Sequence, residues 1–206
     1  MLEFEHGEPV RGDRLLVATG RRARVEGIGL EHAGIQPGKG GIEVDARMSV
    51  GDGIWAIGDV TGIWPLTYVG KYQGRVAAAN ILGHEAVASY DAVPRVVFTD
   101  PQVAAVGEAD GEVTVTASLD SVPRMSTYYR EYEGRGHLTL VSDGERLTGA
   151  HALGPEAGEW LGQATLAIRA RVPIAVLKDT IQPFPTFSEV YLHAMQKMTA
   201  RTTTAA

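Results

Sequence analysis

IWAIGDV, residues 54–60, is an apolar run that ends in Gly58 and Asp59. The run predicts a buried strand at 54–57. Gly58 lets a ligand approach the backbone, and Asp59 stands at the carboxyl end of the strand, where open α/β sheets bind ligands. A carboxylate there can accept hydrogen bonds from the hydroxyl groups of a sugar or sugar alcohol. A Gly-Asp turn that merely ends a buried strand explains the local sequence equally well.

The sequence on either side of this stretch predicts a mixed helix and strand region. RLLVATG (14–20) reads as a buried strand that ends in glycine, and IEVD (42–45) as a short strand. Apolar residues at three-to-four spacing predict a helix over 66–82, and Gly83 is a suitable C-terminal stop. GDGIWA (51–56) matches a dinucleotide-binding glycine pattern, but a strand follows it where that pattern needs a helix, so we reject a phosphate loop there.

The second half of the chain carries short β-branched or aromatic runs, which predict antiparallel strands. The runs are VVFT (96–99), VAAVG (103–107), VTVTA (113–117), MSTYYREY (125–132) and HLTLVSD (137–143). The Asp-Gly pair of SDGERL (142–147) predicts a hairpin, with LTGAHALG (147–154) as the return strand. Apolar spacing predicts two further helices, at 154–170 and 188–198.

Composition restricts the class of protein. The chain has 206 residues, of which 44% are hydrophobic, which is enough for a sizeable core. With 19 basic and 25 acidic residues and no long basic run, nucleic acid and an anionic membrane surface are not expected partners. No apolar stretch approaches the roughly 20 residues that span a bilayer, and no signal peptide is recognisable, so we expect a cytoplasmic protein. The absence of cysteine excludes thiol chemistry by this chain, and no metal site is predicted.

QPFPTFSE, residues 182–189, fits the start of the last helix. Thr186 followed three residues later by Glu189 matches the capping box, and Pro185 fixes the entry of the chain. The same segment is also a candidate for the edge of an active site. The local sequence favours the structural interpretation without excluding the other.

Six motifs occur together in one order. They are DRLLVATGRR (13–22), MSVGDGIWAIGDVTG (48–62), KYQGRVAAANILG (71–83), VPRVVFTDPQVAAVG (93–107), GPEAGEWL (154–161) and FPTFSE (184–189). Together they resemble the C-terminal half of the pyridine nucleotide-disulfide oxidoreductase family. This family comprises the FAD flavoenzymes that include dihydrolipoamide dehydrogenase, glutathione reductase and mercuric reductase. The resemblance covers nearly the whole chain from about residue 13.

The resemblance implies an α+β chain in three parts. Residues 1–20 would be the tail of an NAD(P)-binding domain, residues 21–90 the C-terminal segment of an FAD-binding α/β domain, and residues 94–206 a dimerisation domain of antiparallel sheet plus helices. The change of sequence pattern puts the last boundary near residues 88–94. The implied cofactors are FAD and NAD(P)H, and the implied partners are a second copy, bound through 94–206, and a small-molecule electron acceptor. The family's phosphate-binding glycines and redox cysteine pair would lie upstream.

Carried over residue by residue, the resemblance implies a flavin contact in the first half of the chain. Asp59 would contact the ribityl hydroxyls of the flavin, with Gly58 allowing the approach. Leu66, Thr67 and Tyr68 would open a helix whose N-terminus points toward the flavin's pyrimidine edge, where its partial positive charge would stabilise a reduced, anionic flavin. Thr67 is alternatively a simple N-cap, and both roles are compatible.

The FPTFSE motif departs from the family at one position. Disulfide-reducing members have His-Pro-Thr followed by a Glu three residues after the Thr, and the Glu orients that His as an acid/base for the thiol. Here Phe184 stands at the His position and Glu189 at the Glu position, and a phenyl ring cannot transfer a proton. His193, four residues after Glu189, is a conceivable substitute, although a surface histidine is the simpler interpretation. Mercuric reductases use a C-terminal cysteine pair, which the ending MTARTTTAA lacks.

The sequence therefore predicts part of an FAD-dependent NAD(P)H oxidoreductase. In this prediction the chain completes the flavin site and the homodimer, and electrons pass to a small acceptor such as a quinone or a dye without the usual His-Glu acid/base. The alternative is a dimerisation module that is catalytically silent when it is separated from the upstream half.

Overall fold

The computed structural model describes the backbone of residues 1–204 and the side chains of residues 1–198. The chain divides into two compact units, Met1–Ala88 and Ser89–Ala206. The division lies at the start of the segment, 88–94, where the sequence pattern changes. Within the described residues, every helix is too short or too polar to traverse a bilayer.

The first unit contains one hairpin and one long helix. Strands β1 (Ser49–Gly51) and β2 (Ile54–Trp55) pair antiparallel. Helix α1 (Thr67–Ile81) follows and buries Met48 of the hairpin against Val76 and Ala77. The predicted helix over 66–82 is thus confirmed. The helix ends at Ile81, and the predicted stop Gly83 follows the C-cap Leu82 with a φ of +81° and donates its N–H to the Asn80 carbonyl at 3.1 Å.

Three strand predictions in this unit were wrong wholly or in part. Residues 14–20 form no strand and are exposed, with Leu16 88% exposed, because no other described strand lies beside them. Residues 42–45 are also irregular, and Ile42 instead donates its N–H to the Val60 carbonyl at 2.7 Å. The strand predicted at 54–57 is only two residues long and half-buried. An apolar run indicates a tendency to be buried, but a strand also needs a neighbour to accept its backbone hydrogen bonds.

The second unit is a five-stranded antiparallel sheet in the order β3-β4-β7-β6-β5. Its strands are β3 (Arg95–Val97), β4 (Gln102–Gly107), β5 (Val113–Ser118), β6 (His137–Ser142) and β7 (Leu147–Gly154). Strands β6 and β7 form the hairpin predicted from Asp-Gly, and Leu140 pairs with Ala150. Four of the five predicted runs and the return strand are therefore confirmed.

Helices cover one face of this sheet. They are α2 (Pro123–Tyr128), α3 (Ala157–Trp160), α4 (Gly162–Arg169), α5 (Ile174–Asp179) and α6 (Val190–Thr204). Short 3-10 turns lie at Leu30–Ala33, Gly58–Thr61, Leu119–Ser121, Arg130–Tyr132 and Phe187–Glu189. Leu140 and Ala150 of the sheet, with Ala164 and Tyr191 of the helices, are buried in one core. The alternating burial along the strands is the reason the sheet could be predicted.

The helices of this unit differ from the sequence predictions at three places. The single helix predicted at 154–170 is two helices that meet at Leu161. The helix predicted from Ser188 begins as a 3-10 turn and becomes α-helical at Val190. MSTYYREY (125–132) is helical and not a strand: Pro123 occupies the first turn of α2, and fully buried Met125 anchors the helix in the core, which outweighs the β-propensity of the tyrosines.

Candidate functional site

The turn after β2 holds two of the predicted site residues, Gly58 and Asp59. Gly58 has a φ of +75° and donates its N–H to Oε1 of Gln73 at 2.6 Å. Gln73 is fully buried on α1, so the helix fixes the turn. Gly70 of α1 allows the helix and the turn to pack closely, because a Cβ on Gly70 would lie 3.3 Å from the Gly58 Cα. No atom lies within 4 Å of the Cβ position of Gly58 itself, so that side of the turn is open.

Asp59 is exposed and faces a residue that the sequence analysis missed. Nη1 of Arg21 lies 3.8 Å from Oδ2 of Asp59, and Nη2 of Arg21 donates to the Pro65 carbonyl at 2.6 Å. One guanidinium therefore connects the strand-end carboxylate to the segment that enters α1. No local pattern indicates this contact, because Arg21 and Pro65 are 44 residues apart.

The start of α1 holds the other three predicted residues of the first unit. Leu66 is the N-cap, with extended backbone and no capping side chain, and its carbonyl accepts the N–H groups of Val69 and Gly70, each at 3.0 Å. Thr67 and Tyr68 are exposed in the first helical turn. The interpretation of Thr67 as the N-cap was wrong by one residue. Arg21 contacts Asp59 and Pro65, and Gln73 holds Gly58. The predicted flavin-contact residues of the first unit therefore lie together at one end of α1: Gly58, Asp59, Leu66, Thr67 and Tyr68.

In the second unit the predicted capping box at the 184–189 segment is confirmed. The Thr186 N–H donates to Oε2 of Glu189 at 3.1 Å, and the Thr186 hydroxyl donates to the Pro183 carbonyl at 2.6 Å. Phe184, at the start of this rigid segment, is 72% exposed. Among the described residues no ion pair involves His193, which is half-buried on α6, so no Glu189–His193 ion pair forms in this chain.

A cavity of about 360 Å³ lies beside this segment. Its lining residues are Arg124, Glu156, Glu159, Trp160, Thr186, Phe187 and Ser188. The Arg124 guanidinium lies 5.2 Å and 5.4 Å from the ring centres of Tyr128 and Tyr129. The Tyr129 hydroxyl donates to Oε1 of Glu156 at 2.8 Å, and this bond raises the pKa of Tyr129. The sequence analysis missed this cavity because its lining residues come from three segments that lie far apart in the sequence.

Comparison with known proteins agrees with both units. The family model for the dimerisation domain of the pyridine nucleotide-disulphide oxidoreductases matches residues 93–195, and a second model, for pyridine nucleotide-disulphide oxidoreductases, matches residues 2–74. The chain belongs to this family. The resemblance drawn from the six motifs is confirmed, as are the mixed helix and sheet fold and the family's cofactors, FAD and NAD(P)H.

The similar proteins are longer enzymes. Dihydrolipoyl dehydrogenase of Chlamydia pneumoniae is 36% identical over 192 residues, which is 87% of this chain and 41% of that protein. Mercuric reductase of Acidithiobacillus ferrooxidans is 38% identical over 211 residues, 97% of this chain and 38% of that protein. A solved structure of the HOCl-induced flavoprotein disulfide reductase of Escherichia coli, as a Cu(II) complex, superposes with a TM-score of 0.81 at 28% identity. The match covers 93% of this chain and 47% of that one. The chain thus spans about two fifths of the length of its curated relatives.

Proposed function

We propose that the chain is the C-terminal part of an FAD-dependent NAD(P)H oxidoreductase. In this proposal residues 1–20 end the NAD(P)-binding domain, residues 21–90 complete the FAD-binding domain, and residues 94–206 form the homodimer. The family match and the geometry at the end of β2 support it. The observation that carries it is the turn at Gly58 and Asp59, open on one side and fixed to α1 by buried Gln73.

The residues at this turn suit a flavin. The open side of Gly58 admits a ligand to the backbone, and the exposed Asp59 carboxylate can accept hydrogen bonds from ribityl hydroxyls. No side chain caps the first turn of α1 at Leu66, so the partial positive charge of this 15-residue helix acts on whatever lies in front of it. FAD, when bound, supplies the redox chemistry, and the chain's own residues position it and favour negative charge at its edge.

The acceptor in this proposal is a small molecule that needs no His-Glu acid/base. Phe184 offers an apolar exposed ring at the position where the motif resemblance implies a histidine in disulfide-reducing members, and the Glu189 carboxylate accepts the Thr186 backbone N–H. An apolar wall suits a quinone or a dye, which can accept electrons without a proton from a protein group.

A second candidate is a dimerisation module that is catalytically silent by itself. The match of residues 93–195 to a dimerisation domain favours it for the isolated chain. Under either proposal the purified 206-residue chain is expected to be dimeric and colourless. Stoichiometric yellow flavin on this chain alone would contradict the view that the flavin site needs an upstream half.

The function is tested with Asp59→Ala in the full-length protein that contains this chain. Removal of a carboxylate that accepts hydrogen bonds is expected to weaken FAD binding at least about tenfold and to lower NAD(P)H oxidation in proportion to the lost flavin. FAD affinity is measured by reconstitution of the apoprotein. The control is Asp13→Ala, an exposed acid of the same unit. Equal FAD affinity in the two variants would contradict the proposed flavin contact.

A further inference from the structure

A cluster of aromatic rings and one arginine packs against the 184–189 segment. The Arg124 guanidinium of α2 lies 5.8 Å from the ring centre of Phe187. The ring centre of Tyr129 lies 5.1 Å from that of Phe187, and the ring centre of Trp160 lies 6.4 Å from it. Phe187 therefore has two aromatic rings and one cation beside it, and only 4% of the residue is exposed.

An acid fixes the tyrosine of this cluster. Oε1 of Glu156 accepts the Tyr129 hydroxyl at 2.8 Å, and the raised pKa of Tyr129 keeps the phenol protonated as the donor at neutral pH. Glu156 has a φ of +55°, in the left-handed region that glycine adopts without strain from a Cβ. The backbone conformation therefore does not explain an acid at this position, whereas the contact with Tyr129 does.

Hydrogen bonds within the segment connect Phe187 to Phe184. The Thr186 hydroxyl donates to the Pro183 carbonyl at 2.6 Å, so this bond spans the residue that lies between them along the apolar stretch, Phe184. The Thr186 N–H donates to Oε2 of Glu189 at 3.1 Å, and Phe187 is the first residue of the 3-10 turn that this pair caps. A displacement of Phe187 would therefore also move the backbone that carries Phe184.

The packing around Phe187 is open on one side. Phe187 and Arg124 both line the cavity of about 360 Å³ described above. A side chain beside open space has fewer atoms in van der Waals contact than one that is enclosed by protein. The contacts with Arg124 and Tyr129 therefore contribute a larger share of what fixes the Phe187 ring.

We propose that Arg124 and Tyr129 are positioning residues for the proposed electron-acceptor site. They hold Phe187, and through the hydrogen bonds of the segment they fix the direction in which Phe184 presents its exposed ring. This role rests on the proposed function, in which the 184–189 segment is the contact for a quinone or a dye. Neither positioning residue touches the acceptor. Their effect is on how constantly the apolar wall is presented, and thus on the affinity for the acceptor.

Backbone hydrogen exchange in the full-length protein tests whether the cluster holds the segment. Arg124→Met keeps an apolar stem against the rings but removes the cation, so exchange of the Thr186 and Glu189 amides is expected to accelerate about three- to tenfold. Tyr129→Phe keeps the ring contacts and loses only the hydroxyl, so a smaller acceleration of the same amides is expected. Arg135→Met, at an exposed arginine of the same unit, is the matched control and keeps the wild-type exchange rates.

Steady-state kinetics with a quinone test whether this positioning serves the acceptor. Arg124→Met is expected to raise the KM for the quinone at least about threefold, because only part of the population then presents Phe184 in the binding orientation. The rate at which NAD(P)H reduces the flavin is expected to stay unchanged, a separation that general destabilisation would not produce. Arg124→Lys retains a cation without the planar guanidinium, so its KM is expected to lie between those of the wild type and Arg124→Met.

Equal amide exchange in the wild type and in Arg124→Met would overturn this role. A quinone KM that rises in Phe184→Ala but not in Arg124→Met would overturn it as well. A quinone KM that is unchanged in Phe184→Ala would instead overturn the proposed acceptor contact, so failure of the positioning role and failure of the proposed function give different results.

Discussion

Phe184 decides which chemistry the 184–189 segment can perform. Its ring is 72% exposed, and the capping box of Thr186 and Glu189 fixes the backbone immediately after it. A phenyl ring has no proton to give, so the proposed role of the segment is an apolar contact without acid/base catalysis. Oε2 of Glu189 accepts the Thr186 N–H at 3.1 Å.

Phe184→His in the full-length protein tests whether this scaffold retains the capacity for thiol chemistry. With Glu189 retained, we expect the variant to gain NAD(P)H-dependent reduction of lipoamide, with a rate that titrates near the pKa of histidine, provided that an upstream cysteine pair is present. Steady-state rates over a pH series are the measurement. Phe184→Leu is the control, and identical lipoamide rates in the two variants would show that the segment does not reach the reacting sulfur.

At the residue scale, the sequence predicted the groups that belong to local motifs. Gly58 and Asp59 follow an apolar run, and Thr186 and Glu189 have the spacing of a capping box. Arg21, which contacts Asp59, has no local signal. The reason is physical: a side-chain contact between segments 38 residues apart depends on how the chain returns, and spacing rules describe only neighbours along one element.

At the scale of elements, helix α1 is the support of the proposed flavin site. Its buried Gln73 accepts the Gly58 N–H at 2.6 Å, and its Gly70 lets the turn pack against it. A residue of similar volume without an oxygen would leave the Gly58 N–H without this acceptor. A substitution of buried Gln73 is therefore expected to alter the Gly58 turn, which is the proposed cofactor contact.

Gln73→Leu is expected to destabilise the first unit by about 1–3 kcal/mol, because it removes the acceptor of a part-buried backbone N–H. Weaker FAD binding in the full-length protein is expected to accompany the loss. Urea unfolding and FAD titration measure the two effects. Lys71→Leu, an exposed substitution on the same helix, is the control. Unchanged FAD affinity in Gln73→Leu would contradict the claim that Gln73 supports the flavin site.

The strands could be predicted where buried and exposed residues alternate regularly along the sequence. The strands between Gln102 and Gly154 have inward residues at period two, and the Asp-Gly turn fixes the register of their hairpin. Helix α2 was missed because tertiary burial of Met125 outweighs the preference of its aromatic residues. Residues 14–20 have the composition of a buried strand but no strand beside them in this chain.

At the scale of the whole molecule, the two units differ in how much of their apolar surface is buried in a core. Residues 89–206 enclose a core shared by a five-stranded sheet and its helices, whereas residues 1–88 have only a two-stranded sheet and leave Leu15, Leu16 and Val17 exposed. The chain spans about two fifths of the length of its curated relatives, and we propose that these apolar residues pack against the rest of a longer protein.

The most direct test of the proposed function is the reoxidation of the NAD(P)H-reduced full-length protein, mixed anaerobically with a quinone or with lipoamide and followed by flavin absorbance. We predict that the quinone reoxidises the flavin faster than lipoamide does, at a rate that changes less than about twofold between about pH 5.5 and about pH 8, because no histidine acid takes part. Faster reoxidation by lipoamide, or a quinone rate that follows a single titration near pH 6.5, would contradict the account.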